Sequence, residues 1–135
     1  MIAMIDYSRC VRCRVCEQSC PKNAIYFYSY PIKCFHCKNP PCLKACPINA
    51  IVKKDETVLI LEDRCIGCGL CAFACPFGAI RIEKVAIKCD NCISLDKKVC
   101  EDVCPTNAIV SLNNIYKEKE KNINKIIKNI KKWNR

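Results

Sequence analysis

Short apolar runs broken by charged turns set the local structure of this chain. Ile51 to Lys53 and Thr57 to Leu61 flank the polar Lys54-Asp55-Glu56, a pattern that predicts a β-hairpin. Ile80 to Ile82 and Val85 to Ile87 flank Glu83-Lys84 and predict a tighter hairpin of the same kind. Ala24 to Tyr28 pairs in the same manner with the segment before Cys34, where Pro31 restricts the second strand to an edge. The pattern changes beyond Ser111. Ile123, Ile126, Ile127, Ile130 and Trp133 fall on one helical stripe, with Lys125, Lys128 and Lys132 opposite, which predicts an amphipathic helix over 113–135. Apart from cysteine, the chain has few large apolar residues with which to fill an interior.

Cysteine changes that picture. The run Cys-Pro-x-[Asn/Gly]-Ala-Ile occurs four times, at 20–25, 46–51, 75–80 and 104–109, and marks an internal repeat. Four cysteines precede each of these prolines. They stand at Cys10, Cys13, Cys16 and Cys20, at Cys34, Cys37, Cys42 and Cys46, at Cys65, Cys68, Cys71 and Cys75, and at Cys89, Cys92, Cys100 and Cys104. The third group reads C-x2-C-x2-C-x3-C-P, the spacing of a [4Fe-4S] site whose fourth cysteine ligates a neighbouring cluster. Short helical turns are expected to carry the C-x3-C pairs, and four clusters to occupy the interior. Folding and metal binding would then be one equilibrium.

Disulfides are the other use of sixteen cysteines, but they belong to secreted chains. The first ten residues contain neither an apolar signal region nor a twin arginine, so a reducing cytoplasmic and anaerobic setting is expected. No apolar run reaches the ~18 residues of a membrane span. The formal net charge is +10 with neutral cysteines. Four thiolate-ligated [4Fe-4S] cores bring roughly −8, leaving about +2, so the basicity does not itself argue for nucleic acid. A phosphate loop, G-x-G-x-x-G, C-x-x-C-H and C-x3-C-x2-C are all absent from the sequence. The chemistry implied is electron carriage without a substrate site, hence not an enzyme in its own right.

The order of the four groups, with C-F-H-C-K-N-P-P-C from Cys34 to Cys42, resembles the four-cluster iron-sulfur subunits of the dimethyl sulfoxide reductase type. That family includes electron-transfer subunits of formate dehydrogenases and energy-conserving hydrogenases, and the ferredoxin-like partner of carbon monoxide dehydrogenase. The resemblance implies an α+β fold of two nested bacterial-ferredoxin-like modules, in which short hairpins and helices surround the clusters, followed by the C-terminal amphipathic helix. Residues 1–33 with 81–112 would form the outer module, 34–80 the inserted one and 113–135 the helix. The ligand sets it implies are Cys10, Cys13, Cys16 and Cys104 for cluster I, and Cys20, Cys89, Cys92 and Cys100 for cluster II. Cluster III takes Cys34, Cys37, Cys42 and Cys75, and cluster IV takes Cys46, Cys65, Cys68 and Cys71. The implied partners are a catalytic oxidoreductase subunit and a second redox protein, in a hetero-oligomer.

Other residues admit two readings each. Gly67, Gly69 and Gly78 either bring backbone amides close to sulfur or relieve loop strain. Arg12 and Arg14, at the positions matching Gly67 and Gly69, either raise the potential of cluster I or dock an acidic partner, or are simply solvated. His36, the one histidine, is expected to pack beside the cysteines and not to ligate. Pro40 and Pro41 shape the Cys37 to Cys42 loop and keep water from cluster III, and Ile93 to Val99, with Asp96, Lys97 and Lys98 exposed, is either a solvated loop or a contact near cluster II. From Ser111 onward eight basic residues face two acidic ones, so the final helix either packs its stripe back on the modules or docks on a partner. Two further functions fit the composition: a freely diffusing polyferredoxin, and a zinc-binding nucleic-acid module, although zinc sites have no need of C-x2-C-x2-C followed by C-P.

Overall fold

A computed structural model describes residues 2–133, and within the last helix the side chains of 112 and 113 lie outside the description. The chain is a mixed α+β assembly of very short elements followed by one long helix. In order these are β1 (Ala3–Ile5), α1 (Val15–Ser19), β2 (Tyr26–Phe27), β3 (Pro31–Ile32), α2 (Pro41–Ala45), β4 (Ile51–Lys54) and β5 (Thr57–Ile60). There follow α3 (Leu70–Ala74), β6 (Arg81–Ile82), β7 (Ala86–Ile87), α4 (Val99–Val103), β8 (Ile109–Ser111) and α5 (Leu112–Trp133).

The expected hairpins form as β2-β3, β4-β5 and β6-β7, each an isolated antiparallel pair. Pro31 pairs with Phe27 without loss, because a two-stranded ribbon has only edges. The fourth ribbon was not legible in the hydrophobic pattern. β1 pairs with β8, Ala3 opposite Ser111 and Ile5 opposite Ile109, and ties the start of the chain to the residues after Cys104.

The Cys-Pro repeat has one local structure in all four copies. A five-residue helix ends at the cysteine, which is extended and serves as C-cap at Cys20, Cys46, Cys75 and Cys104. The fourth residue of the repeat then turns through the left-handed region, with φ of 49° at Asn23, 53° at Asn49, 64° at Gly78 and 52° at Asn107. Only glycine and asparagine tolerate that conformation readily, which explains why the repeat admits those two alone. The next residue, Ala24, Ala50, Ala79 or Ala108, is almost wholly buried, so a larger side chain has no room.

Gly67 shows the tightest backbone requirement. Its φ is +69°, and a Cβ there would lie 2.5 Å from the Lys84 carbonyl oxygen in the β6-β7 turn. Gly69, at φ +84°, would meet nothing nearer than Ile82 Cγ1 at 3.9 Å. Gly67→Ala is therefore expected to destabilise the protein by about 2–4 kcal/mol and Gly69→Ala by about 1–2, from the left-handed penalty and the added clash. Denaturant unfolding of the two iron-loaded variants measures the difference.

The final helix departs from the packing expected of an amphipathic stripe. α5 begins directly from β8, where the Glu101 carboxylate accepts from the Ser111 amide at 3.1 Å and from the Asn114 side-chain amide. Beyond that first turn it leaves the body of the protein. Ile123, Ile126, Ile127 and Ile130 are each 43–58% exposed and Trp133 is 87% exposed. The apolar face of the helix has no partner within the described residues. None of the described helices is long and apolar enough to cross a membrane.

Candidate metal centres

Each five-residue helix places one buried cysteine at its second residue: Cys16, Cys42, Cys71 and Cys100. The preceding loops present the other cysteines by left-handed turns. Arg12, His36, Gly67 and Asn91, the residues just before the second cysteine of each group, all have positive φ, from 47° to 69°. Arg14 and Gly69, just after it in the first and third groups, repeat the turn. Arginine and histidine here occupy a conformation that glycine adopts more readily, so the loop shape is imposed by what surrounds it.

These loops and helices gather the cysteines in fours. Cys10, Cys13, Cys16 and Cys104 line one cavity, with Arg12, Arg14 and Ile109. Cys34, Cys37, Cys42 and Cys75 line another, together with Pro40, Pro41, Phe35 and Phe77. Cys46, Cys65, Cys68 and Cys71 line a third, with Gly67 and Gly69. Of the remaining four, Cys20 packs against the buried patch of Cys100, and Cys89 and Cys92 act on the Cys100 thiol electrostatically. Within each set the fourth cysteine comes from another group.

The donor chemistry suits an iron-sulfur cluster better than a single ion. Among the described residues no three cysteine, histidine or carboxylate groups converge closely enough to hold one metal ion. The sulfurs surround a space instead, as a group of several metal atoms requires. Backbone amides point at those sulfurs. Ala24, Ala50 and Ala108 donate to Cys20, Cys46 and Cys104 at 3.3–3.4 Å, a direct product of the left-handed turn before each alanine. His36 donates to Cys34, Asn91 to Cys89 and Ala86 to Cys65, each at 3.3 Å. None of the three glycine amides makes such a bond among the described residues. Of the two readings of the glycines, Gly67 fits close backbone approach, and amides of other residues, these six among them, face the sulfurs.

As free thiols the helix cysteines resist ionisation. Burial pushes Cys42 and Cys100 up to about 11 and raises Cys16 and Cys71 as well. Cys104 behaves differently: burial raises it, but the amides of Ala108 and Thr106 and the Thr106 hydroxyl outweigh that and leave it below its usual value. Loading iron must therefore displace protons from the buried members.

His36 is buried, and its Nδ1 accepts the Val58 amide at 3.1 Å, while Nε2 has no partner among the described residues. Burial, then Lys88 and Lys33, hold it down to about 3, so it is neutral and fixed beside Cys34. Arg12 and Arg14 are exposed at the mouth of their cavity. Arg12 lies over the Tyr30 ring at 5.4 Å, and Arg14 over Phe27 at 4.7 Å while paired with Glu17 at 2.8 Å. In the Ile93 to Val99 loop Asp96 and Lys97 are exposed and Lys98 is half-buried.

The core itself is organised by these sets. One buried cluster joins Cys16 and Cys100 with Cys20 and Cys104, a second joins Cys34 and Cys89 with Cys20 and Cys75, and a third joins Cys42 and Cys71 with Cys46, Cys65 and Cys75. Each cluster lies where two cysteine sets touch. The sets therefore follow one another in a row.

Two functional candidates escaped the reading of the sequence, Lys33 and Lys88. Both are buried, at 1% and 5% exposure, immediately before the first cysteine of the second and fourth groups. Their signal was the repeated Ile-Lys-Cys at 32–34 and 87–89.

A family model for the 4Fe-4S dicluster domain matches residues 25–114, and one for the 4Fe-4S binding domain matches residues 3–26. An uncharacterized ferredoxin of Methanocaldococcus jannaschii is 34% identical, over 98% of this chain and 97% of the relative. The B subunit of the anaerobic dimethyl sulfoxide reductase of Escherichia coli is 30% identical over 78% of this chain and 69% of its own length. Hydrogenase-4 component A of the same organism is 31% identical over 67% of each.

Proposed function

Because the chain belongs to the 4Fe-4S dicluster ferredoxin family and is an electron-transfer protein related to reductase and hydrogenase iron-sulfur subunits, we propose that it is a four-cluster relay within an oxidoreductase complex. Clusters I to IV are held by the four cysteine sets named above, and each [4Fe-4S] cluster supplies reversible one-electron storage. The order of the relay is I, II, III, IV. The observation that carries this reading is the core, in which three buried patches each join two consecutive sets.

The protein's part is to hold these sites in line, exclude water and set their charge environment. Helices α1 and α4 pack together, as do α2 and α3, and β1 pairs with β8. That arrangement supports two nested modules, residues 1–33 with 81–112 outside and 34–80 inside. Swapping one cysteine between groups makes the same bonds serve fold and wiring.

The catalytic partner is an oxidoreductase subunit of formate dehydrogenase, hydrogenase or carbon monoxide dehydrogenase type, and a second redox protein exchanges electrons with the other end. The exposed stripe of α5, with its basic flank, favours a docked subunit over a freely diffusing polyferredoxin. Anaerobic purification from the native source is expected to yield about sixteen iron and sixteen sulfide per chain, counting four per cluster, together with a co-purifying oxidoreductase. Removing 117–135 is expected to leave the iron content unchanged and to reduce co-purification at least tenfold. A truncated chain that retains its partner would refute docking through α5, and a monomeric full-length chain in native extract would favour the free carrier.

A further inference from the structure

The middle junction of the row differs from the two outer ones. Its two buried cysteines, Cys34 and Cys89, each directly follow a buried lysine, Lys33 or Lys88. Lys33 Nζ donates to the Ala3 carbonyl at 2.8 Å, and Lys88 Nζ donates to the carbonyls of Val58 and of Cys89, the latter at 2.7 Å. Among the described residues no carboxylate pairs with either lysine. Burying an ammonium without a counter-charge is costly, and carbonyl dipoles offset only part of that cost. Thiolates holding iron at the adjacent sites would supply the missing negative charge.

Both lysines act across the junction. Lys33 precedes Cys34, yet it is the first cation opposing the burial of Cys89 and of Cys100. Lys88 precedes Cys89, yet it opposes the burial of Cys42. Cys34 and Cys89 share one buried patch between them. His36, neutral beside both lysines, neither adds to this charge nor cancels it.

We propose that Lys33 and Lys88 form a fixed positive pair at the junction of clusters II and III, which makes those two clusters the favoured site of a transferred electron. This rests on the four-cluster reading above. Reducing a thiolate-bound [4Fe-4S] cluster from 2+ to 1+ takes one electron from the redox partner and takes its overall charge from −2 to −3. Two ammonium groups in a low-dielectric interior stabilise the more negative state. The relay thus has a well at its centre, so an electron entering from either end is held until the other end can accept it.

Methionine keeps the length and volume of lysine and removes the charge. In the full chain, purified anaerobically with its clusters, Lys33→Met and Lys88→Met are expected to lower the midpoint potential of two of the four couples. The shift is expected to be at least tenfold in the reduction equilibrium, or about 59 mV for a one-electron couple. The other two couples stay in place, and Lys33→Arg and Lys88→Arg restore the original values. EPR-monitored redox titration reads the couples, and iron and sulfide analysis reads the loading. Loaded methionine variants with unchanged potentials, or with all four shifted equally, overturn the proposal. Should the methionine variants fail to load while the arginine variants do, charge compensation is supported; failure of both kinds makes the lysines packing elements and overturns it. A native chain holding fewer than four clusters overturns the four-cluster reading itself, and this proposal with it.

Discussion

Cys75→Ala is expected to remove about one quarter of the iron and sulfide, on a count of four irons per cluster, and the loss is expected at cluster III, not at the cluster of its own sequence group. Cys75 follows Cys71 by a single helical turn, and α3 points the two thiols apart. Cys71 is buried in the cavity with Cys46, Cys65 and Cys68, while Cys75 lines the one with Cys34, Cys37 and Cys42. Cys46→Ala is the mirror experiment, since Cys46 follows Cys42 on α2 and lines the cavity of the third group. Each variant should retain about three quarters of its iron and lose a different EPR-active cluster. Identical spectra for Cys75→Ala and Cys71→Ala would show that ligands are not exchanged between groups.

Stripping the iron is expected to unfold residues 2–111 cooperatively, with loss of most near-UV and hairpin signal, while α5 retains only marginal helicity. The largest fully buried side chains are Lys33, Ile109, Val58 and Pro31, which is a meagre apolar interior for a domain of this length. Every core patch includes cysteines, and between them lie cavities instead of methyl groups. Without thiolate-bound iron those cavities lose their filling and the two buried ammonium groups lose their counter-charge. Circular dichroism during chelation under reducing, oxygen-free conditions follows the transition, and tracking iron release in the same sample shows whether the two coincide. A chain that stayed folded without iron would show that its hairpins and small cores suffice.

The repeat, the hairpins and the cysteine groups were legible in the sequence because each is local. Asn23, Asn49, Gly78 and Asn107 announce a left-handed turn by residue type alone, and the turn in turn fixes the buried alanine and its amide. The β4-β5 hairpin runs one residue further than its polar turn suggested, through Lys54, because Asp55 accepts positive φ and tightens the connection. The β1-β8 ribbon was not legible. It is three residues long, its strands lie at opposite ends of the cysteine-bearing region, and neither alternates clearly enough to announce a partner. Lys33 and Lys88 were passed over for a different reason: lysine is rarely buried, and nothing in a local window reveals that a hairpin will turn it inward. The direction taken by α5 could not be read either, since an amphipathic stripe states that something covers it and not what.

The exchange of cysteines between groups also sets an order of completion during synthesis. The cavity begun by Cys10, Cys13 and Cys16 stays open until Cys104 emerges from the ribosome, whereas Cys34, Cys37 and Cys42 need wait only for Cys75. The sites of the second and third groups can therefore close while those of the first and fourth still lack half their cysteines, and the thiols translated first remain exposed longest. Nascent chains caught at intermediate lengths should carry inner iron before outer iron, and oxidative damage during biogenesis should fall first on Cys10, Cys13 and Cys16.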